Sequence, residues 1–209
     1  LDGGVYVATP DDEIAKVVES FGGTVAMTSP SHQRASDRVA EAAESIDADI
    51  VVMIQGDEPL VTPEMVESSF QPLLKDNSIF CTNLVKRITS EEEYFDRNTI
   101  KVVMNHDGYA LYFSREPIPT LHNNDFASIK AYKQVCIIPY PKRFLLDFAA
   151  MAPTGLEETE SIDMLRILEH GQRVLMVECH QECHSVDAPH DVQVVESMMQ
   201  NDPVLALYT

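Results

Sequence analysis

A chain of 209 residues, 44% of them hydrophobic, suits one ordinary domain whose core needs neither disulfides nor a structural metal. Its 34 acidic residues against 15 basic ones give a formal charge of -19. Such a surface repels a phosphate backbone, which argues against nucleic acid as a partner, and an anionic substrate here requires a divalent cation or a local basic pocket. No run is long and apolar enough to cross a bilayer, and no charged-then-apolar leader opens the chain, so it reads as cytoplasmic with no membrane partner.

In chain order, Val5 to Thr9 reads as a short strand. Residues 11 to 21 follow as a helix with Ile14, Val17, Val18 and Phe21 on one face, ended by Gly22-Gly23. Residues 24 to 28 are a strand, 29 to 34 a polar loop, 35 to 46 a helix, and 49 to 54 a strand. Residues 62 to 74 read as a helix with Thr62 as N-cap and Pro63 at its first position, and 78 to 85 as an apolar strand. From Ile100 two strands, 100–104 and 109–113, flank Asn105-His106-Asp107-Gly108, the pattern of an antiparallel hairpin. Residues 117 to 129 form a loop and 132 to 138 a strand. Helices at 141–150 and 157–169 precede a strand at 173–178 and a last helix at 189–199. Strands alternating with helices over short links specify an α/β fold: a mostly parallel open sheet with helices on both faces, here with an antiparallel hairpin extension, in a single domain over 1–209.

The strand at 49–54 feeds straight into Gln55-Gly56-Asp57-Glu58-Pro59. Ligands of open α/β sheets bind at the carboxyl ends of such strands, so Asp57 stands where a substrate would. Gly56 permits a backbone path that a side chain would block, and Pro59 bars early helix formation. The turn reads equally as an acidic approach to the next helix, complementing its dipole. Cys179-His180-Gln181-Glu182-Cys183-His184 suggests zinc at first sight. Its spacing does not match zinc knuckles, and adjacent Cys-His pairs on an extended segment point to opposite faces, so reduced cysteines are expected.

Several segments taken in order carry a resemblance. They are Tyr6-Val-Ala-Thr9, Met27-Thr-Ser-Pro30 with His32 and Asp37-Arg38, Val52-Met-Ile-Gln-Gly-Asp-Glu-Pro-Leu60, and Asp107-Gly-Tyr-Ala-Leu-Tyr-Phe-Ser-Arg-Glu-Pro-Ile-Pro119. Leu156-Glu-Glu-Thr-Glu-Ser161 with Leu165-Arg166 and Leu168-Glu-His-Gly171, then Ser185-Val-Asp-Ala-Pro189, complete the set. Together they resemble the nucleotide-sugar cytidylyltransferases, in particular the 3-deoxy-manno-octulosonate (Kdo) cytidylyltransferase family, over essentially the whole chain. The resemblance implies a Rossmann-like sheet of the nucleotide-diphospho-sugar transferase type. It also implies attack of a sugar acid's anomeric 2-hydroxyl on the α-phosphorus of CTP, with release of pyrophosphate.

By the same likeness Asp57 and Asp187 are the catalytic carboxylates and Mg²⁺ ligands, and hard carboxylate oxygens suit that ion. Arg115 becomes the clamp for the sugar carboxylate, Lys133, Gln134, Glu157 and Glu158 contact the sugar, Gln55 lies beside nucleotide and sugar, and Ser36 and Arg38 approach the cytosine. Each has a plainer alternative in the residues alone. Asp187 reads also as a helix cap before Pro189, Arg115 as an ion-pair partner of Glu116, Gln55 as a loop amide satisfying backbone groups, and Glu157 and Glu158 as acids favoured at a helix start.

The chain departs from the family pattern at three places. Arg34-Ala35-Ser36 stands where Ser-Gly-Thr is usual. Lys133-Gln134-Val135-Cys136-Ile137-Ile138 replaces Arg-or-Lys-His-x-Gly-x-Tyr, which points to an altered sugar pocket and to a different acid such as an 8-amino analogue of Kdo or a nonulosonic acid. The family's first strand carries a Gly-x-x-x-Ser-x-Arg-x-x-x-Lys loop that grips the triphosphate, and residues 1 to 209 hold no counterpart. The expectation is a chain lacking the family's beginning that binds CTP poorly as it stands, or a non-catalytic sugar-nucleotide binding module. The family further implies a homodimer, with residues 100–140 serving sugar binding and the interface, and a role in lipopolysaccharide or capsule synthesis.

Overall fold

The computed structural model describes residues 3–122 and 125–200, together with Asp202 and Val204. Residues 123 and 124 of the expected 117–129 loop lie outside the described residues.

Strand β1 (Tyr6–Thr9) pairs parallel with β2 (Thr24–Met27) across helix α1 (Asp12–Ser20). Asp11 caps α1, its Oδ1 accepting from Glu13 N at 2.7 Å and Ile14 N at 3.3 Å, which satisfies two orphan amides of the first turn. The expected inward stripe is corrected here: of its four residues only Val18 is buried, together with Ala15, while Ile14, Val17 and Phe21 are exposed, because the main packing of α1 is against the two short strands β1 and β2. Helix α2 (Ala35–Glu44) leads to β3 (Ile50–Ile54), and α3 (Pro63–Lys75) starts as the sequence indicates, with Thr62 Oγ1 accepting from Met65 N and Pro63 at its first position.

Strand β4 (Cys81–Arg87) is the centre of the molecule. The short helix α4 (Glu91–Phe95), not foreseen, is capped by Ser90 Oγ. Strands β5 (Lys101–Met104) and β6 (Ala110–Ser114) form the expected hairpin, turned at Gly108 with φ +82°, where Asn105 Oδ1 accepts from Asp107 N and Tyr109 N. A strand β7 (Tyr132–Val135) and a strand β8 (Ile137–Pro141) come next, then helices α5 (Lys142–Ala150), α6 (Gly155–Glu160) and α7 (Met164–Glu169), strand β9 (Val174–Glu178) and helix α8 (Pro189–Met199).

The hairpin does not stand apart. It extends a five-stranded sheet in the order β6-β5-β7-β4-β9, in which β4 and β9 run parallel and the β4–β7, β5–β7 and β5–β6 pairs are antiparallel. Strand β3 pairs antiparallel with β8, which lies against β4. Both faces of β4 are covered: Cys81 and Val85 enter a core with Phe113, Tyr140, Leu145, Phe148 and Leu165, and Leu84 enters a second with Met65, Val135, Ile137, Cys179 and Cys183. Helices on both faces of a mixed sheet give the α/β class foreseen. Among the described residues no helix is long and apolar enough to cross a membrane.

Two single elements of the sequence reading are each split in two. The run 132–138 breaks at Cys136, whose carbonyl accepts from Gln55 N at 3.1 Å and whose amide donates to Glu58 Oε1 at 2.8 Å. The helix expected over 157–169 breaks at Ser161, which takes the left-handed conformation with φ 56°.

Candidate active site

The acidic turn leaves the end of β3 as a tight bend, with Glu58 N donating to Gln55 O at 3.2 Å. Gly56 corrects the expectation that a side chain would block the backbone path: a Cβ there would meet nothing within 4 Å, and its φ is not left-handed. Asp57 is tied by its backbone to the chain before α8, Val186 N donating to Asp57 O at 2.8 Å. The turn after β3 and the segment carrying Asp187 are thus brought together although far apart in sequence.

Neither aspartate caps the helix that follows it. Thr62 and Glu64 serve the start of α3, and Asp57 plays no part in its cap. At α8 the cap is Asp191, whose Oδ2 accepts from Asp187 N at 3.0 Å and Ala188 N at 2.7 Å while its Oδ1 meets His184 Nε2 at 2.9 Å. The Asp187 carboxylate is left exposed, accepting only from Ser185 Oγ at 2.6 Å among the described residues. Asp57 Oδ1 is buried with no hydrogen-bond partner. Burial, and then the charge of Asp187, push the Asp57 carboxyl above its ordinary pKa, partly offset by its own amide. Glu58 is raised by burial, and beyond the bond from Cys136 N it feels Asp57, Lys133 and Asp187.

A buried carboxylate oxygen without a donor, facing a second carboxylate, is a site that a cation would complete. No group of three or more His, Cys, Asp or Glu suited to a metal occurs among the described residues. Two carboxylates nonetheless fit Mg²⁺, which keeps several waters and takes one or two protein carboxylates plus substrate phosphates. Cys179 and Cys183 are buried and not in disulfides.

The other predicted residues divide. Lys133 Nζ pairs with Glu93 at 2.5 Å and lies within the field of Glu58. Gln134 Nε2 donates to Oδ1 of the fully buried Asn83 at 2.6 Å, and its Oε1 is buried without a partner among the described residues. Gln55 joins the site through its backbone bonds. Arg115 does not pair with Glu116, which Arg97 takes at 2.6 Å; its guanidinium donates to the carbonyls of Glu160, Arg97 and Ser161 at 2.7, 3.1 and 3.3 Å. Two of its five N–H groups remain for a ligand.

Ser36 and Glu157 are placed inside the protein. Ser36 is fully buried with its hydroxyl on Asp163 Oδ2 at 2.8 Å, and Glu157 forms a two-point pair with Arg166 at 2.8 and 2.6 Å. In this arrangement each can reach a ligand only through the groups it holds. Arg38 Nη1 and Nη2 hold Thr28 Oγ1, Ser29 O and His32 O, shaping the loop before α2, and Glu158 is exposed. Arg34, Asp163 and Glu160 were not singled out by sequence reasoning. Only Arg34 carried a signal, as the cation standing where serine is usual; the other two acquire their neighbours through the fold.

The fold is that of a nucleotidyltransferase, and a family model described as cytidylyltransferase matches residues 2–174. Similar chains include the 3-deoxy-manno-octulosonate cytidylyltransferase of Geotalea uraniireducens, 44% identical over 91% of this chain and 80% of that protein. The enzyme of the same description from Chlorobium phaeobacteroides is 40% identical over 96% and 81%. A solved CMP:2-keto-3-deoxy-manno-octonic acid synthetase complexed with CTP superposes with a TM-score of 0.85 at 32% identity, over 95% of this chain and 81% of that one. The chain belongs to the 3-deoxy-manno-octulosonate cytidylyltransferase family. The 4-diphosphocytidyl-2C-methyl-D-erythritol synthase of Anaerococcus prevotii, at a TM-score of 0.58 and 12% identity, shares the fold alone.

Proposed function

We propose that the protein transfers CMP from CTP to the anomeric 2-hydroxyl of Kdo or a close analogue, with Mg²⁺, releasing pyrophosphate. The observation that carries this reading is the unpartnered Asp57 oxygen held beside Asp187 by the bond from Val186 N to Asp57 O. The hydroxyl oxygen bonds to the α-phosphorus as the bond to the β-phosphate oxygen breaks, and the hydroxyl proton is lost. Bound Mg²⁺ would supply charge neutralisation and acidify the hydroxyl.

The chain's own groups provide the rest. Asp57 and Asp187 would hold the ion, and the free N–H groups of Arg115 would meet the sugar carboxylate in its planar fork. Lys133 places a cation beside Glu58, and the Gln134 carbonyl oxygen offers a fixed acceptor to a sugar substituent. Orientation by such groups converts a two-substrate encounter into a positioned one. A second reading, in which the substrate is an analogue such as 8-amino-Kdo, rests on Gln134 standing where the resemblance expects histidine, which replaces a titratable group by a neutral amide. The setting we infer is cytoplasmic synthesis of lipopolysaccharide or capsule precursors by a homodimer.

The test is pyrophosphate release by the intact protein from CTP with Kdo, 8-amino-Kdo and a nonulosonic acid, with and without Mg²⁺. Release that needs both sugar acid and Mg²⁺, and is lost in Asp57→Asn, supports the reading. Release from none of the acids overturns it.

A further inference from the structure

Arg34, the cation that replaces the family's usual serine, crosses from the loop before α2 to the break between α6 and α7. Its Nη1 donates to Ser161 Oγ at 2.8 Å and its Nη2 to Glu157 O at 3.3 Å, while Nε lies 3.6 Å from Glu157 Oε1 and 3.7 Å from Asp163 Oδ1. Ser161 is the left-handed residue of that break, and its carbonyl accepts from Arg115 Nη2 at 3.3 Å. Two guanidiniums therefore bracket one residue: Arg34 holds its hydroxyl and Arg115 its carbonyl. Among the described residues the remaining ties of the 29–34 loop are local, running from Arg38 to Thr28, Ser29 and His32, from His32 to Glu41, from Ser29 N to Glu41, and between Ser29 and Ser31. A serine at position 34 has neither the reach nor the donors for this span.

We propose that Arg34 is a positioning residue that couples the 29–34 loop, on the nucleotide side, to the Ser161 break that seats Arg115, on the sugar-acid side, so that the protein binds its two substrates cooperatively. The inference rests on the function proposed above for its kinetic consequence, but not for the link itself. Losing hydrogen bonds from a charged donor to a half-buried loop weakens the ordered state of both segments by about tenfold. A ligand that orders either segment then has to order the other as well.

Two measurements separate the link from the catalytic reading. Amide hydrogen exchange without substrate reads the link: Ser161→Gly should speed exchange in residues 29–34, and Arg34→Ser should speed it in residues 160–163. Ser161→Gly removes the hydroxyl, keeps the carbonyl that Arg115 uses and eases the left-handed backbone, so the loss cannot come from a strained turn. In pyrophosphate-release kinetics, Arg34→Ser should raise KM for CTP and for the sugar acid about tenfold each, with kcat within about twofold. The Arg34→Ser, Ser161→Gly double variant should be no worse than Arg34→Ser alone, since that change already removes the contact that Ser161→Gly breaks. Arg34→Lys keeps the charge without the fork and should not restore either KM. Unchanged exchange in residues 29–34 of Ser161→Gly, or full rescue by lysine, overturns the proposal.

Discussion

Glu157→Gln tests whether Glu157 is a sugar contact or part of the scaffold. The carboxylate is 1% exposed and meets Arg166, itself 2% exposed, at two points, with Arg34 Nε nearby and Thr154 N donating to Oε2 at 3.2 Å. Burial opposes the Arg166 charge, and Glu157 and Asp37 more than offset it, holding the guanidinium protonated over the Phe148 ring at 4.4 Å. Removing one partner of a buried pair costs about 3–5 kcal/mol. Arg166 retains Asp37 at 2.8 Å, so the lower end applies, about 3 kcal/mol or roughly a hundredfold in the folding equilibrium. For a chain of this length that lowers Tm by about 6–12 °C. Urea and thermal unfolding by circular dichroism measure it, with exposed Glu158→Gln as a control within about 0.5 kcal/mol of the parent. Replacing Glu157 and Arg166 together by Leu and Met should cost less than the sum of the two single changes, because the two share one contact, although it leaves the half-buried Asp37 without Arg166. A loss under about 1 kcal/mol for Glu157→Gln, joined to a large rise in sugar-acid KM, would refute the scaffold reasoning.

Asp57→Asn should abolish turnover yet raise metal-free stability by about 0.5–1 kcal/mol after screening, since an ionised, partly buried carboxylate facing Asp187 opposes folding. Its raised folded pKa fixes the sign: the parent's deficit is full above that pKa and shrinks as pH falls through it, so a deficit that grows on acidification would contradict the assignment. Lys101 is buried with its ammonium on the carbonyls of Asp96, Thr99 and Arg115, and burial lowers its pKa to about 8, against Asp96 and Glu116. Its side-chain NMR signal should titrate near that pH, and its contribution to stability should rise from about pH 8 toward its unfolded pKa, because the unfolded chain holds the proton longer. Among the cysteines, Cys183 should alkylate first, its thiol lowered by the Cys179 S–H, Lys133 and Lys86, while burial pushes the Cys81 thiol up; mass mapping after brief iodoacetamide treatment checks this. Asp191→Ala should cost about 1–2 kcal/mol in urea unfolding and impair turnover, because it frees both Asp187 N and Ala188 N.

What was legible in the sequence is what local chemistry decides. Thr62 with Pro63, the turn at Asp107-Gly108 and the strand feeding the acidic turn fall where their residue types require. The breaks at Cys136 and Ser161 were not legible, because nothing in the runs 132–138 or 157–169 marks them. Cys136 is bent out of its strand by Gln55 N and Glu58 Oε1, and Ser161 is held by Arg34 and Arg115, partners supplied by distant segments. Strand direction was equally hidden: β3 and β8 are both apolar runs, and only the chain's path makes them antiparallel.

The same distinction decides the acidic turn. From sequence, Asp57 and Asp187 each had a helix start close downstream, and a carboxylate before a helix is explained by the dipole alone. Capping, the stronger form of that explanation, needs the carboxylate to accept from the helix amides. At α3 the hydroxyl of Thr62 does it, and at α8 Asp191 reaches back from inside the helix, using one oxygen for the amides of Asp187 and Ala188. With both helix starts satisfied by other side chains, the two aspartates are left with their charges facing each other and one buried oxygen unbonded. In a chain already at -19 that pair adds repulsion rather than stability, and the cation proposed above, shared between them, would relieve both the repulsion and the unmet acceptor.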